Sequence, residues 1–267
     1  MRYVCKIYFH GNNKSEEELI QALESGCGHI VLDNAMECAR LVQLADSLEK
    51  GIEVLLRVNP GIEAHTHEYI QTSGSDSKFG LSIKEEEAIN NIVKTAMDSK
   101  YVDFKGFHCH IGSQITETEG FEKAVEIMVA FVKKMETEYD IPSQDLSIGG
   151  GFGIRYTDAD QPIPLGEMVQ ILARTCERIM AEQDVKLNKL LIEPGRSIVG
   201  EAGFAIYKVG FSKDTETKHF LFVDGGMSDN IRPALYQAEY SCDIATRLGE
   251  AKDKLYCVAG KNCESGD

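Results

Sequence analysis

Three stretches of the sequence share one arrangement: FHCHIGS at residues 107–113, SIGGGFG at residues 147–153 and LIEPGRS at residues 191–197. In each, a short apolar run typical of a β-strand leads at once into glycine, histidine, arginine or a carboxylate. Loops that leave the carboxyl ends of parallel strands converge on one rim of a sheet or barrel, where such scaffolds bind their ligands. The pattern therefore predicts a ligand site on a parallel α/β scaffold.

Apolar runs alternate with amphipathic stretches up to about residue 198, which is typical of repeated βα units. The predicted strands span Tyr3–Phe9, His29–Leu32, Val54–Val58, Val102–His108, Leu146–Ile148 and Lys189–Glu193. The predicted helices span Ser15–Glu24, Ala35–Glu49, Ile83–Asp98, Glu119–Tyr139 and Leu165–Glu182. This pattern gives about six βα units, whereas a closed barrel of this kind needs eight.

We predict an α/β fold with an incomplete (β/α)8 barrel over residues 1–198 and part of a β-rich C-terminal domain over residues 199–267. Beyond residue 198, strand-like runs recur at Phe204–Gly210, Phe220–Val223 and Leu255–Val258 without long helices between them. The chain starts almost directly on a strand and stops in a polar cluster, so we expect it to be truncated at both ends.

Composition narrows the possible partners. The formal charge of −15, with no cluster of lysine and arginine, argues against nucleic acid and anionic membranes, because both need a positive face. No apolar run approaches the roughly 18 residues of a membrane span. The eight cysteines form no CxxC pair and no secretion signal precedes them, which predicts free thiols in a cytoplasmic protein. A small-molecule ligand is the partner we expect.

Glu193 ends a mostly apolar run, so its carboxylate requires a cationic or hydrogen-bonding partner. An ion pair with Arg196 is one reading, and a contact with the protonated ring nitrogen of a cofactor is the other. The glycines at residues 149–151 present successive backbone N–H groups that can hold a phosphate. A tight turn between strand and helix is the commoner explanation of such a run.

His108 and His110 flank Cys109, and alternate residues of a strand point to the same face. Because neither a carboxylate nor a third histidine lies at a supporting spacing, we expect no metal site here. His110 fits an imidazole that faces a planar ring, or simply a packed histidine. Ser113 can donate to a phosphate or cap the next turn.

The sequence predicts a loop at residues 224–236, which is too rich in unusual residues to be only a connection. Arg232 can clamp a carboxylate in a bidentate fork, and Tyr236 supplies a flat wall with a hydroxyl group. An exposed arginine on a surface loop is the plain alternative. Cys263 beside Glu264 fits a general acid next to a substrate anchor, or an inert thiol.

Taken together, five motifs resemble the diaminopimelate decarboxylase family of pyridoxal-phosphate enzymes, which have an alanine-racemase-like barrel. The motifs are HCHIGSQ (108–114), GGGFG (149–153), EPGRS (193–197), DGGMSDNIRPALY (224–236) and CESGD (263–267). FHGNNKSEEEL (9–19) and RVNPGIEAHTHEYI (57–70) extend the resemblance over essentially the whole chain. It implies decarboxylation of meso-2,6-diaminopimelate to L-lysine, the last step of lysine biosynthesis.

The resemblance also implies roles for particular residues. His110, also a candidate catalytic residue, would stack on the pyridoxal-phosphate ring, and Glu193 would pair with its pyridinium nitrogen. That carboxylate would keep the ring protonated, which suits an electron sink, whereas the related alanine racemases place an arginine there. The remaining residues that would contact the cofactor are Ser113, Gly149, Gly150, Gly151, Gly195 and Arg196.

For the substrate, the resemblance implies Arg196, Arg232, Tyr236 and Glu264 as binding residues and Cys263 as the catalytic proton donor. Cys263 and Glu264 would reach the site of a neighbouring subunit, so a homodimer is implied. Neither nucleic acid nor a membrane is an expected partner.

Two features depart from the family pattern. The family's Schiff-base lysine lies in a Tyr-Ala-x-Lys-Ala-type motif that this sequence does not contain, and Lys6 matches the family's third strand instead. The family's closing tyrosine-containing strands are also missing. We therefore expect weak cofactor binding and no useful turnover from the isolated chain. Two alternatives are an ornithine, arginine or carboxynorspermidine decarboxylase, and a non-catalytic remnant that pairs with an intact subunit.

Overall fold

The computed structural model describes residues 6–62 and 77–267. The chain divides into two compact units, and the first reaches to Gly153 and includes Pro162–Ser197. The second unit comprises Ile154–Gln161 and Ile198–Asp267. Among the helices in the described ranges, none combines the length and apolarity that crossing a lipid bilayer requires.

A parallel sheet forms the centre of the first unit. Its strands are β1 (Tyr8–Phe9), β2 (His29–Leu32), β3 (Ile52–Asn59), β4 (Leu81–Ser82), β5 (Val102–His108), β6 (Asp145–Ser147) and β7 (Lys189–Leu191). The order is β1-β2-β3-β5-β6-β7, with every neighbouring pair parallel, and β4 pairs with the end of β3. This arrangement confirms the predicted partial (β/α)8 barrel.

Helices connect these strands as crossovers. They are α1 (Glu16–Ser25), α2 (Ala35–Leu48), α3 (Glu86–Met97), α4 (Glu119–Tyr139) and α5 (Leu165–Gln183), with a short α6 (Gly195–Val199) after β7. The start of α1 has the capping box that its sequence predicts: Ser15 accepts from the Glu18 amide, and the Glu18 carboxylate accepts from the Ser15 amide. Gly26 then ends α1 in the left-handed conformation.

The core lies between the sheet and these helices. All four residues of β2 are buried, because both faces of a parallel sheet within α/β layers are covered. Phe107 of β5 is fully buried and packs edge-on against the rings of Phe104 and Phe131. Burying each large apolar side chain contributes about 1.5–3 kcal/mol, so the core fixes the strand ends on which the site is built.

Several element boundaries differ from those predicted. Of the predicted strand Tyr3–Phe9, residues 3–5 lie outside the described ranges, and the observed strand begins at Tyr8. Helix α3 begins at Glu86 rather than at Ile83, because β4 pairs with β3 and the Glu85 carboxylate accepts from the Ser82 amide. The strand predicted to end at Glu193 ends at Leu191.

The second unit contains a three-stranded mixed sheet. Its strands are β8 (Val209–Asp214), β9 (His219–Val223) and β10 (Cys257–Ala259), with β9 antiparallel to β8 and parallel to β10. A short helix α7 (Arg232–Tyr236) lies within the segment predicted as a loop. Residues 204–208, predicted as strand, precede β8, and large apolar side chains such as Phe204 and Leu255 are exposed.

Candidate functional site

Glu193 lies two residues beyond β7, and partners from three other strands converge on its carboxylate. Its Oε1 atom lies 3.1 Å from Nε2 of His108 and 3.4 Å from Nε2 of His10. The hydroxyl of Ser147, the last residue of β6, donates to the same oxygen at 2.9 Å. Because parallel strands end at one edge of the sheet, residues far apart in the sequence meet here.

The charge state of this group follows from its contacts. Burial alone would raise the pKa of the Glu193 carboxyl, but hydrogen bonds from His10 and His108 outweigh burial and hold that pKa far below its usual range. Burial lowers the pKa of His108 despite its contact with Glu193. The pair is therefore an ionised carboxylate beside a neutral imidazole.

The sequence offered Arg196 as a structural partner for Glu193. The Nη1 atom of Arg196 donates to Oε1 of Gln114 at 3.1 Å, while Glu193 has His10, His108 and Ser147 as partners. Hydrogen bonds from a neutral His108 ring and from a hydroxyl compensate only part of a full negative charge. Glu193 can therefore still attract a cation, as a contact with the protonated ring nitrogen of a cofactor requires.

The glycine turn at residues 149–151 packs directly against Glu193. The Glu193 amide donates to the carbonyl of Gly149 at 2.8 Å. A β-carbon on Gly150 would lie 2.1 Å from the carbonyl oxygen of Glu193, and one on Gly151 would lie 2.1 Å from that of Gly112. Gly149 and Gly151 also have positive φ angles of 72° and 104°. Both space and backbone conformation therefore require glycine here.

Two of the three amides in this turn donate within the protein. The amide of Gly149 donates to Oγ of Ser147 at 3.3 Å, and that of Gly150 donates to Nδ1 of His110 at 3.2 Å. A tight turn therefore explains the glycines at positions 149 and 150, because their amides have partners within the protein. Since its Nδ1 accepts, the neutral His110 ring carries its proton on Nε2.

His110 itself is neutral near pH 7. Burial, and then the positive charge of Arg57, lowers the pKa of His110 to about 4. The hydrogen bond from Gly150 fixes the ring at the carboxyl end of β5. An uncharged imidazole in a fixed orientation suits contact with a planar, electron-poor ring.

A loop after β5 completes the rim near the glycine turn. Ser113 follows Gly112, whose carbonyl lies against Gly151, and it is half-buried. The next residue, Gln114, has a φ of 60°, a conformation that non-glycine residues seldom adopt. Its side chain accepts from Arg196, which belongs to α6. The structure therefore brings Ser113, Gly149–Gly151, Glu193 and Arg196 into one neighbourhood.

Sequence reasoning did not identify His10 or Ser147 as partners of Glu193. Each lies at the carboxyl end of a strand, His10 directly after β1 and Ser147 as the last residue of β6. The residues that the sequence analysis did predict in the site also lie at the carboxyl ends of strands, so this position could have indicated His10 and Ser147. Spacing along the chain could not reveal them, because 46 residues separate Ser147 from Glu193.

A polar network supports the neighbouring part of the rim. The ammonium group of Lys14 donates to Glu37 at 2.5 Å and to the carbonyls of Gly11 and Val31, both at 2.8 Å. Both charged side chains are almost fully buried, so each depends on the other for compensation. The network therefore fixes the loops that follow β1 and β2.

The guanidinium group of Arg57 in β3 stacks on the ring of Phe79, 4.4 Å from the ring centroid. The amide of Gly80 donates to Asp33 at 2.9 Å, and the side chain of Asn59 donates to the carbonyl of Phe79 at 2.6 Å. These contacts hold the chain at residues 77–82. Residues 63–76, which include most of the motif at 57–70, lie outside the described ranges.

In the second unit, Arg232 opens α7 between two aromatic rings. Its guanidinium group lies 4.8 Å from the ring centroid of Tyr156 and 5.6 Å from that of Tyr240, and it donates to the Tyr240 hydroxyl. Such stacking holds the planar group in one orientation. Tyr236, at the end of the same helix, is half-buried.

The motif at residues 263–267 lies against the loop that follows β9. The Asp267 carboxylate accepts from the amides of Met227 and Asn262, and the Lys261 amide donates to Gly225 at 3.0 Å. Cys263 and Glu264 are both exposed. The structure thus places two of the sequence motifs side by side within the second unit.

Comparisons with known proteins bear on this arrangement. Residues 4–200 match the family model described as "Pyridoxal-dependent decarboxylase, pyridoxal binding domain". The chain is 45% identical to the diaminopimelate decarboxylase of Bacillus subtilis (strain 168), over 98% of this chain and 60% of that protein. It is 43% identical to the Staphylococcus aureus (strain COL) diaminopimelate decarboxylase, over the same shares.

A solved structure is also similar. The diaminopimelate decarboxylase from Helicobacter pylori complexed with L-lysine superposes with a TM-score of 0.84 at 30% sequence identity. The match covers 99% of this chain and 63% of that one. The chain therefore spans about 60% of the length of the curated relatives named above.

Proposed function

Because this chain belongs to the family of pyridoxal-dependent decarboxylases, we propose that it binds pyridoxal 5′-phosphate at the carboxyl ends of β1, β5, β6 and β7. The reaction that we assign to the whole protein is the decarboxylation of meso-2,6-diaminopimelate to L-lysine. The observation that carries this proposal is the ionised Glu193 carboxylate, which lies in contact with a glycine turn beside a neutral imidazole.

These residues fit the chemistry of the cofactor. Pyridoxal phosphate supplies an electron sink for the electron pair that remains when carbon dioxide leaves. An ionised carboxylate holds a proton on the ring nitrogen, so Glu193 is the residue we assign to that atom. His10, His108 and Ser147 orient this carboxylate from three strands. His110 provides a flat, uncharged surface for the ring.

For the phosphate, we assign the amide of Gly151 and the hydroxyl of Ser113 as the donors. The amides of Gly149 and Gly150 already donate to protein atoms, so these two residues contribute the shape of the turn. Arg196 adds a positive charge on the same side. Gly195 has no side chain, and no protein atom fills the space beside it, so the backbone of α6 can approach the phosphate there.

For the substrate, we assign Arg196, Arg232, Tyr236 and Glu264 to binding and Cys263 to proton donation. Stacking on Tyr156 and Tyr240 supports an Arg232 that is oriented for a carboxylate. The exposure of Cys263 and Glu264 supports residues that act in the neighbouring subunit of a homodimer. We place the protein in the cytoplasm, and its free cysteines are consistent with a reducing compartment.

A cofactor titration tests the proposal. The purified chain is titrated with pyridoxal phosphate, and binding is followed by absorbance for the wild type, Glu193→Gln and Glu53→Gln. Glu53 is a matched control, because it also pairs with a histidine, His29 at 2.7 Å, but near the amino end of β3. Glu193→Gln should weaken binding about tenfold or more, as expected for a lost charge-assisted hydrogen bond, and Glu53→Gln should not.

Equal dissociation constants for all three proteins would contradict the assignment of Glu193. The substrate is tested separately, by measuring the binding of meso-diaminopimelate and of ornithine to the cofactor-saturated chain. A preference for diaminopimelate supports recognition of a second carboxylate. A preference for ornithine would instead favour the diamine-forming decarboxylases.

A further inference from the structure

The loop that follows β5 is held against the glycine turn that follows β6. The amide of Ile115 donates to the carbonyl of Gly151 at 2.9 Å, and the amide of Gly153 donates to the carbonyl of Ile115 at 2.8 Å. On the other side of the loop, the carbonyl oxygen of Gly112 lies 2.1 Å from the place that a β-carbon on Gly151 would take. Backbone contacts on both sides of Gln114 therefore fix its position.

Gln114 has the left-handed backbone conformation within this loop, with a φ of 60°. This conformation is unfavourable for any residue with a β-carbon, whereas glycine adopts it readily. The position nevertheless carries a long amide side chain, whose Oε1 atom accepts from Nη1 of Arg196 at 3.1 Å. Residues held in such conformations cluster at ligand-binding sites, where the surrounding structure compensates for the strain. The contact with Arg196 therefore points to a function for the Gln114 side chain.

We propose that Gln114 is a positioning residue, which holds the guanidinium group of Arg196 toward the phosphate of the cofactor. This inference rests on the proposed function, which assigns Ser113 and Arg196 to that phosphate. Ser113 directly precedes Gln114, so one strained loop carries a phosphate donor and the residue that orients the neighbouring positive charge.

The chemistry of an amide suits this role. Its carbonyl oxygen accepts from a guanidinium group but carries no formal charge, so Gln114 orients Arg196 without neutralising it. A carboxylate at the same position would pair with Arg196 and repel an anionic ligand. The hydrogen bond joins residues that are 82 positions apart, one in the loop after β5 and the other in α6. Gln114 thus connects two strand ends that border the proposed phosphate site.

Gln237 provides a matched control in the second unit. It is also a glutamine in the left-handed conformation, with a φ of 52°, and it is exposed at the end of α7. Replacing either glutamine with glycine removes the same side chain and the same backbone strain. Only the change at Gln114 removes the hydrogen bond from Arg196.

The test titrates the cofactor-free chain with inorganic phosphate, followed by NMR, and measures stability by urea unfolding. Gln114→Gly should weaken phosphate binding about threefold or more, as expected when two coupled neighbours are separated. It should unfold at no lower a urea concentration than the wild type, because glycine relieves the backbone strain. Gln114→Glu adds a negative charge beside Arg196 and should weaken binding about tenfold. Gln237→Gly should leave the phosphate affinity unchanged.

Arg196→Ala shows whether Gln114 acts through the guanidinium group. In that background Gln114→Gly should cause little further loss of phosphate affinity, because both changes remove the same interaction. The proposal is overturned if the wild type binds no phosphate, if Gln114→Gly binds it as tightly as the wild type, or if the two losses add in full. Inorganic phosphate has no ring nitrogen, so failure of the Glu193 assignment would leave these results unchanged.

Discussion

At the scale of single residues, Glu193 determines what the site attracts. Its position after an apolar run was enough to identify it from the sequence, because a carboxylate at the end of a buried strand requires a partner. The identity of the partners was not predictable in this way. His108 lies 85 residues before Glu193, and only the parallel order of the strands brings the two together.

The neutral state of His110 leads to a prediction about acid stability. Its pKa is about 4 in the folded protein, against about 6.5 in an unfolded chain. Between these values the unfolded chain binds a proton that the folded chain does not, so the free energy of unfolding falls as the pH falls. His110→Gln, which keeps an acceptor for the Gly150 amide, should lose less stability between pH 6.5 and pH 4.

Urea unfolding at several pH values measures this effect. A pKa shift of this size changes the free energy of unfolding by at most about 3 kcal/mol at pH 4. Because the ring is only half-buried, water screens its charge and the measured change should be smaller. Parallel stability curves for the wild type and His110→Gln would mean that the imidazole is protonated equally in both states.

At the scale of elements, hydrophobic periodicity located the long helices and the strands of the sheet. Helix α4 has the predicted bounds, because its buried residues recur at helical spacing over the whole range. The predicted start of α3 was wrong because β4 forms just before this helix. Strand β4 exists only through its pairing with β3, a tertiary contact that no local sequence pattern contains. Helix α7 was also missed, because its five residues are too few to show a period.

The glycine turn at residues 149–151 gives a prediction at this scale. Gly150→Ala places a β-carbon 2.1 Å from the carbonyl oxygen of Glu193, so the turn must move and carry Glu193 with it. We expect a loss of about 1–3 kcal/mol of unfolding free energy, as for other overpacked sites, together with weaker cofactor binding.

Gly166→Ala is the matched control for that substitution. It lies in the first turn of α5, where a β-carbon meets no atom within 4 Å. Because alanine favours a helix over glycine by about 1 kcal/mol at most, this variant should be as stable as the wild type or slightly more so. If both variants unfold at the same urea concentration, the turn is not as tightly packed as described.

At the scale of the whole molecule, the alternation of apolar and amphipathic segments was sufficient to predict six parallel strands with crossover helices. The residues on the rim follow from that topology. The second unit was less predictable, since most of its large apolar side chains are exposed and its strands bury little surface. Hydrophobic periodicity in the second unit therefore predicted the positions of its strands only approximately.

Turnover by the whole chain depends on an amine that activates the cofactor. The sequence contains no Tyr-Ala-x-Lys-Ala-type motif to provide the amine that activates the cofactor. The purified 267-residue chain should therefore bind pyridoxal phosphate weakly and release no carbon dioxide from meso-diaminopimelate. Carbon dioxide release from this chain, measured with carboxyl-labelled substrate, would show that another residue supplies the amine.

The central claim is that Glu193 faces the protonated ring nitrogen of the cofactor. Binding of pyridoxal phosphate is compared with that of 1-deazapyridoxal phosphate, in which carbon replaces this nitrogen, for the wild type and Glu193→Gln. The wild type should prefer pyridoxal phosphate, and Glu193→Gln should lose most of that preference, because the two changes remove the same interaction. An equal preference in both proteins would contradict the claim.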